Sequence, residues 1–299
     1  MDQKLKCICG DSIAEMSKLP EKSIRLIVTD PPYNLNKDYG VFNDNLKFDE
    51  YLEFSRKWLR ESVRLLTDDG SIYIFMGMRH ISYIYVILEQ ELKLYFNSWI
   101  TWFYTQGIGK TKGFSPRHDD ILFFTKDKKN FTFNLDSVRV PQKFYRSVNN
   151  MRGANPGNVW EFSHTHYCNK NRKNHPTQKP EGLFERMILA SSNEGDTVLD
   201  PFVGSGTTLR VCQQLNRNCI GIDINPDYVK MAEQRLAEPF IGFDSIDERM
   251  KRLPNDLGTS KIREDYIKNH VDWFLKNRPD EVKNFNEKFS RDLQQTLFS

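Results

Sequence analysis

Thr197-Val198-Leu199-Asp200-Pro201-Phe202-Val203-Gly204-Ser205-Gly206-Thr207-Thr208 decides how this chain is read. Residues 197–199 are β-branched or apolar and stop at an Asp-Pro pair that cannot extend a ladder, so they read as a buried strand. From Thr207 a helical pattern runs to residue 215. A glycine-rich loop therefore joins the carboxyl end of a strand to the start of a helix, which is where small molecules bind in open α/β sheets. Gly204 and Gly206 permit positive φ and close backbone approach, and they leave room for a nucleoside. The same glycines would also serve a tight turn that binds nothing.

Working outward, residues 219–222 form a second apolar strand that ends at Asp223. Its carboxylate falls roughly 20 residues after the loop, where it can accept hydrogen bonds from ribose hydroxyls. The third glycine of the dinucleotide fingerprint is missing, so a pyrophosphate is disfavoured and a nucleoside without one fits. Asp223 could instead cap the helix that begins at Pro226. Elsewhere residues 24–29, 71–76, 99–104 and 121–125 read as strands, and 49–66, 81–92, 181–192 and 226–236 as helices. This alternation predicts an α/β domain. Residues 126–174 are rich in Asn, Lys, Arg and aromatics with poor periodicity, and read as an irregular insertion. The expected organisation is a catalytic domain over 1–237, with 126–174 as its target-recognition insertion, and a helical extension over 238–299.

The strand over 24–29 runs into Thr29-Asp30-Pro31-Pro32-Tyr33-Asn34. This segment can hold a planar amine. Asp30 accepts one hydrogen of an exocyclic NH₂, and the Pro31 carbonyl, on a chain stiffened by Pro31 and Pro32, accepts the other. Two acceptors outside the ring plane draw the nitrogen towards tetrahedral geometry and localise its lone pair. Tyr33 can stack on a base that has left the duplex, since a base inside it cannot present its amine. A plain turn after a strand is the alternative.

These two motifs, in this order, resemble the β group of DNA amino-methyltransferases of bacterial restriction-modification systems. Asn174-His175-Pro176-Thr177-Gln178-Lys179-Pro180 and Cys9-Gly10-Asp11-Ser12 add to the likeness, which covers about residues 5–237. It implies an α/β S-adenosylmethionine-dependent methyltransferase fold, a mostly parallel seven-stranded sheet with helices on both faces, in circularly rearranged order. The strands before Asp30 and Asp200 would then be neighbours. The likeness also implies S-adenosyl-L-methionine as cofactor, leaving as S-adenosyl-L-homocysteine. Asp30, Asp200, Phe202, Gly204, Ser205, Gly206, Thr207 and Asp223 would lie at that cofactor, Asp11 near its adenine, and Thr177 and Lys179 near its methionine end. Lys179 could pair with a carboxylate on charge alone. An aspartate in the catalytic motif points to N6 of adenine. Cytosine N4, an RNA base or a protein glutamine are alternative acceptors, and an inactive DNA-binding protein of the same fold is the alternative from another class. Direct displacement by the held amine needs no metal and no covalent enzyme intermediate, and His175 reads as structural because nothing clusters with it.

Between Tyr104 and Lys179 there are 14 Lys/Arg against 5 Asp/Glu. Lys110, Lys112, Arg117, Lys143, Arg146, Arg152, Lys170, Arg172 and Lys173 are therefore candidates for phosphate and base contacts on double-stranded DNA. A solvated face is the other reading. The whole-chain charge of +3 says less. The five cysteines are odd in number and lack the spacing of a zinc site, while Cys7 and Cys9 alternate as strand residues do. With no leader and no apolar run of spanning length, a bacterial cytoplasmic, nucleoid-associated protein is expected, with a homodimer and a cognate restriction endonuclease as compatible partners.

Overall fold

The computed structural model describes residues 3–35, 44–104, 109–140, 154–162 and 179–238. The chain divides into two compact units, Met1–Asn134 with Gly157–Ile241, and Leu135–Pro156 with Gly242–Ser299. In the second unit the described residues hold a single 3₁₀ turn, Leu135–Ser137, and an antiparallel bridge between Val140 and Ala154.

The first unit carries the sheet. Its strands are β1 (Leu5–Cys9), β2 (Ile24–Thr29), β3 (Leu66–Met76), β4 (Tyr95–Phe103), β5 (His118–Thr125), β6 (Val159–Glu161), β7 (Thr197–Asp200) and β8 (Asn218–Asp223). Their spatial order is β1-β8-β7-β2-β3-β5-β4-β6. Only β5 runs against its neighbours, so the sheet is mostly parallel as expected. It has eight strands among the described residues rather than the expected seven. The added strand is β6, which pairs with β4 at the sheet margin through Trp102 and Trp160. Three residues with two exposed ends leave too little periodicity to be read as a strand.

Among the described residues the α-helices are α1 (Ser12–Ser17), α2 (Phe48–Leu65), α3 (Ile81–Val86), α4 (Glu181–Ser191), α5 (Thr207–Gln214) and α6 (Pro226–Leu236). They pack in two series, α1 on α2 and α2 on α3, then α4 on α5 and α5 on α6, as a sheet covered on both faces requires. In α2 the buried positions are Tyr51, Ser55, Trp58, Leu59, Ser62 and Leu65, one stripe at helical spacing. Its start is held by the Lys47 amide donating to Glu50 Oε2 at 3.2 Å.

Two boundaries differ from the sequence reading. β3 begins at Leu66, because the pairing with β2 jumps from Ile24↔Leu66 to Leu26↔Ser71 and Thr67-Asp68-Asp69-Gly70 is accommodated as a bulge. The helix expected over 81–92 is α-helical only to Val86 and widens into a π turn over Ile87–Glu91.

What positions the site is the pairing of β2 with β7, Leu26↔Val198 and Ile27↔Leu199. It places the ends of both strands side by side at one sheet edge, as the circularly rearranged order predicts. The strands are almost wholly buried, β2 at five of its six positions and β7 at three of its four, so this edge rests on a rigid core.

Candidate active site

Thr29 is the last residue of β2 and Asp200 the last of β7. The Thr29 hydroxyl donates to Asp200 Oδ1 at 2.9 Å and the Thr208 hydroxyl to Oδ2 at 2.5 Å, while the Phe202 amide donates to Oδ1 at 3.1 Å. Asp200 is thus the knot that ties the two strand ends to the first turn of α5. Burial pushes its carboxyl up to about 7, against the three hydrogen bonds that favour the ionised form.

Next to Thr29, Asp30 has both oxygens engaged. The Tyr33 hydroxyl donates to Oδ1 at 2.5 Å and the Lys179 ammonium to Oδ2 at 2.6 Å. Lys179 is 7% exposed, and its Nζ lies 5.4, 5.5 and 6.0 Å from the ring centres of Tyr33, Phe75 and Trp102. A buried ammonium ringed by aromatic faces and one carboxylate is a compensated charge. Tyr33 is itself buried, and Gly77 leaves the space its ring fills, since a Cβ there would stand 3.3 Å from the ring. Pro31 is buried and Pro32 half-buried, with the Pro32 carbonyl accepting the Tyr51 hydroxyl at 3.0 Å. Asp44, which the sequence reading did not single out, accepts the amides of Asn34 and Leu35 at 2.8 and 3.0 Å and so fixes the turn after Tyr33.

On the other side of Asp200, Gly204 has φ +48 and its amide donates to Asp223 Oδ2 at 2.9 Å, while the Asn225 amide donates to Oδ1 at 2.9 Å. Asp223 therefore shapes the glycine loop and the turn into α6. The helix cap itself falls to Asn225, whose side chain accepts from the Asp227 amide. Burial raises the Asp223 carboxyl, opposed by those two amides. Asp11 caps α1, accepting the Ala14 amide at 2.9 Å.

One cleft of about 890 Å³, open mouth included, is lined by Asp11, Asp30, Pro32, Lys179, Asp200, Phe202, Gly204, Ser205, Thr207 and Asp223. Ser12, Phe54, Phe184, Val203, Thr208, Ile224 and Tyr228 complete it. Its lining, apolar side chains with a few convergent polar groups, suits a small-molecule site. Carboxylates at 11 and 223 suit hydroxyl and amino groups. Phe202, braced edge-on by Trp58 with ring centres 5.4 Å apart, offers a flat apolar face. The residues present thus fit a nucleoside-bearing cofactor.

Of the expected set, Pro31, Tyr33 and Gly206 do not line this cleft. Gly206 has φ +78, and a Cβ there would stand 2.6 Å from the Ala232 Cβ, so its lack of a side chain serves the packing of the loop on α6. Thr177, Lys143, Arg146, Arg152, Lys170, Arg172, Lys173 and His175 lie outside the described residues. Lys110 and Lys112 are exposed and Arg117 half-exposed, between β4 and β5.

Arg235, 2% exposed, was missed in the sequence. It donates to the Ser205 carbonyl at 2.8 Å and to Thr207 Oγ1 at 3.1 Å, and pairs with Glu181 at 2.7 Å, so it clamps the loop from behind. Its signal is a cation on the stripe that buries Val229 and Ala232. Burial pushes the Cys7 thiol up to about 12, which leaves it protonated and poorly nucleophilic at neutral pH. Among the described residues no three His, Cys, Asp or Glu side chains group as a metal site would, and no helix is long and apolar enough to cross a membrane.

Residues 24–234 match a family model described as DNA methylase, and 185–297 match one described as D12 class N6 adenine-specific DNA methyltransferase. The chain is 68% identical to Type II methyltransferase M.HpaI of Haemophilus parainfluenzae, over 98% of this chain and 92% of that one. It is 40% identical to DNA adenine methyltransferase YhdJ of Escherichia coli (strain K12), over 77% of this chain and 81% of that one. Among solved structures, the M1.HpyAVI-SAM complex aligns with TM-score 0.58 at 24% identity, over 78% of this chain and 100% of that one. PvuII DNA methyltransferase (cytosine-N4-specific) aligns with TM-score 0.65 at 20% identity, over 90% and 93%. At these identities the two structures speak to the fold.

Proposed function

The chain belongs to the DNA methylase family, and we propose that it methylates the exocyclic N6 of adenine in double-stranded DNA, on a base extruded from the helix. The observation that carries this is the β2–β7 pairing, which brings the end of the Asp30 strand and the glycine loop after Asp200 into one cleft. Adenine as acceptor is supported by the aspartate at position 30, by the D12 class match and by the likeness to YhdJ.

S-adenosyl-L-methionine supplies, when bound, the electrophilic methyl group. Asp11, Phe202, Gly204, Ser205, Thr207 and Asp223 are the residues that would hold it, with Asp200 and Arg235 fixing the loop they sit on. Asp30 does its work on the acceptor. Its two oxygens offer about four lone-pair sites, of which Tyr33 and Lys179 use two, so an incoming amine finds an acceptor without dismantling the pair. With the Pro31 carbonyl as second acceptor, the nitrogen lone pair is localised and aimed into the cleft. The proton that the amine must shed after alkylation passes to an Asp30 oxygen and on to solvent. Holding the amine in this orientation replaces random encounter and supplies much of the rate gain.

The relatives named as Type II methyltransferases support a cognate restriction endonuclease as counterpart; action in the bacterial cytoplasm, at the nucleoid, goes with that reading. Sedimentation would read the expected homodimer. The deciding experiment incubates the purified chain with methyl-labelled S-adenosylmethionine and duplex DNA, then analyses the nucleosides. N6-methyladenine is expected; label only in N4-methylcytosine would overturn the acceptor, and no label in DNA would overturn the function.

A further inference from the structure

Phe114 is 97% exposed, the most exposed large apolar side chain among the described residues. It lies on the connection that leaves β4 after Phe103 and enters β5 at His118. Because β5 is antiparallel to both β3 and β4, β4 runs in the direction of β3 and β2. The end of β4 therefore opens on the same sheet edge as Asp30.

The connection is built, in its described part, to present this ring. The Tyr104 amide donates to the Arg117 carbonyl at 3.0 Å and closes its neck, and the Lys110 amide donates to Ser115 Oγ at 2.7 Å and closes its tip. Inside the tip Gly113 has φ +87 with nothing within 4 Å of where its Cβ would stand, so the chain reverses in open solvent just before Phe114. Lys110 and Lys112 are exposed on the same tip and Arg117 is half-exposed at its base. A lone ring in water gains nothing for the fold, whereas a ring flanked by cations at the edge where a base must leave its stack has the chemistry of a duplex-entering side chain.

We infer that Phe114 is a wedge that enters the DNA base stack beside the extruded adenine, with Lys110 and Lys112 on the adjoining phosphates. This rests on the reading of the chain as a DNA adenine methyltransferase. The wedge fills the space the base leaves and so lowers the cost of keeping it out, a cost that is least where the base is already unpaired.

The test uses duplex oligonucleotides built on the site found by sequencing DNA that the wild-type enzyme has methylated. The target adenine is either paired or set opposite a mismatched base. F114A should melt with the wild type, slow transfer on the paired duplex roughly tenfold, and recover on the mismatched one. F114L, which keeps an apolar wedge, should hold most of the wild-type rate. No loss on either duplex, or equal loss on both, overturns the wedge. A wild-type chain that methylates no duplex overturns the function itself, and shows this before any Phe114 variant is made.

Discussion

Lys179 Nζ stands 2.6 Å from Asp30 Oδ2, joining residues 149 positions apart in the chain. The carboxylate expected to meet the substrate amine is held by a buried cation and by the Tyr33 hydroxyl at once. Its direction is set before any substrate arrives.

If Asp30 is the acceptor of the amine, Asp30→Ala should reduce methyl transfer by roughly a thousandfold while S-adenosylmethionine binding stays within about threefold of wild type. Single-turnover transfer and calorimetry read the two quantities separately. Tyr33→Phe removes one donor to the carboxylate and should cost about tenfold in rate. Near-normal transfer by Asp30→Ala would remove the residue from the mechanism.

Lys179→Met keeps the volume and removes the charge. It should lower stability by about 2 kcal/mol, less than for a fully enclosed pair because Asp30 keeps access to the cleft, and slow transfer at least tenfold. Thermal denaturation and kcat are the readouts. Lys179→Arg should not restore the rate, since a planar, bulkier guanidinium cannot meet Asp30 Oδ2 as the compact point donor that the ammonium is. An unchanged melting temperature and rate in Lys179→Met would mean the pair does nothing.

Asp200 predicts a pH effect of defined sign. Its carboxyl titrates at about 7 in the folded protein, raised by burial from an ordinary value of 3.8. Between these values the unfolded chain has lost a proton that the native state retains. Stability from this group is thus complete below the lower value and falls, by about 1.4 kcal/mol per pH unit, as pH rises towards the upper one. Asp200→Asn, which cannot ionise, should flatten the decline in melting temperature from pH 5 to 7 (about two units) expected of the wild type. Parallel pH curves for the two proteins would show that Asp200 is already ionised.

Gly206→Ala should destabilise by about 2 kcal/mol or more, since it combines a strained φ with a Cβ 2.6 Å from that of Ala232. Adding Ala232→Gly removes the Cβ contact but leaves the strain and the 2.7 Å approach to the residue 232 Cα, so the double variant should recover only a small part of the loss in denaturant unfolding. If the two losses simply add, the contact is not what requires the glycine.

Asp223→Ala frees the Gly204 and Asn225 amides from their shared acceptor. S-adenosylmethionine affinity should fall at least tenfold, about 1.4 kcal/mol, as the loop loses its shape and the ribose its expected partner. Equilibrium binding at unchanged helix content separates this from unfolding. Wild-type affinity would assign the carboxylate to the turn alone.

The sheet and the position of the cleft were legible because glycine, proline and β-branched runs act locally. Asp30-Pro31-Pro32 and the loop from Asp200 to Thr208 each mark a strand end by their own chemistry, and the expected adjacency of those strands is the β2–β7 pair. The partners of Asp30 were legible only in part. That Lys179 meets a carboxylate follows from charge, but which one depends on a contact across 149 positions. Arg235 is hidden for a similar reason, since its bonds run to the Ser205 loop 30 positions earlier; Asp44 bonds only ten positions back, to Asn34, but nothing in its own segment marks it as the acceptor. β6 escapes because three residues carry no period; at Gly206 the positive φ read from the sequence is present, and the fold uses the close approach it permits to seat the loop on α6.

The hydrogen bond from Thr29 to Asp200 spans 171 positions. Closing a loop of that length is entropically costly and slow, so contact order predicts that nucleation elsewhere in the sheet precedes the meeting of these two strand ends. Competence to bind the cofactor should therefore appear late in refolding, after most backbone structure has formed. A ligand that engages both strand ends would act as a kinetic clasp, slowing the unfolding of an assembly that the chain completes late.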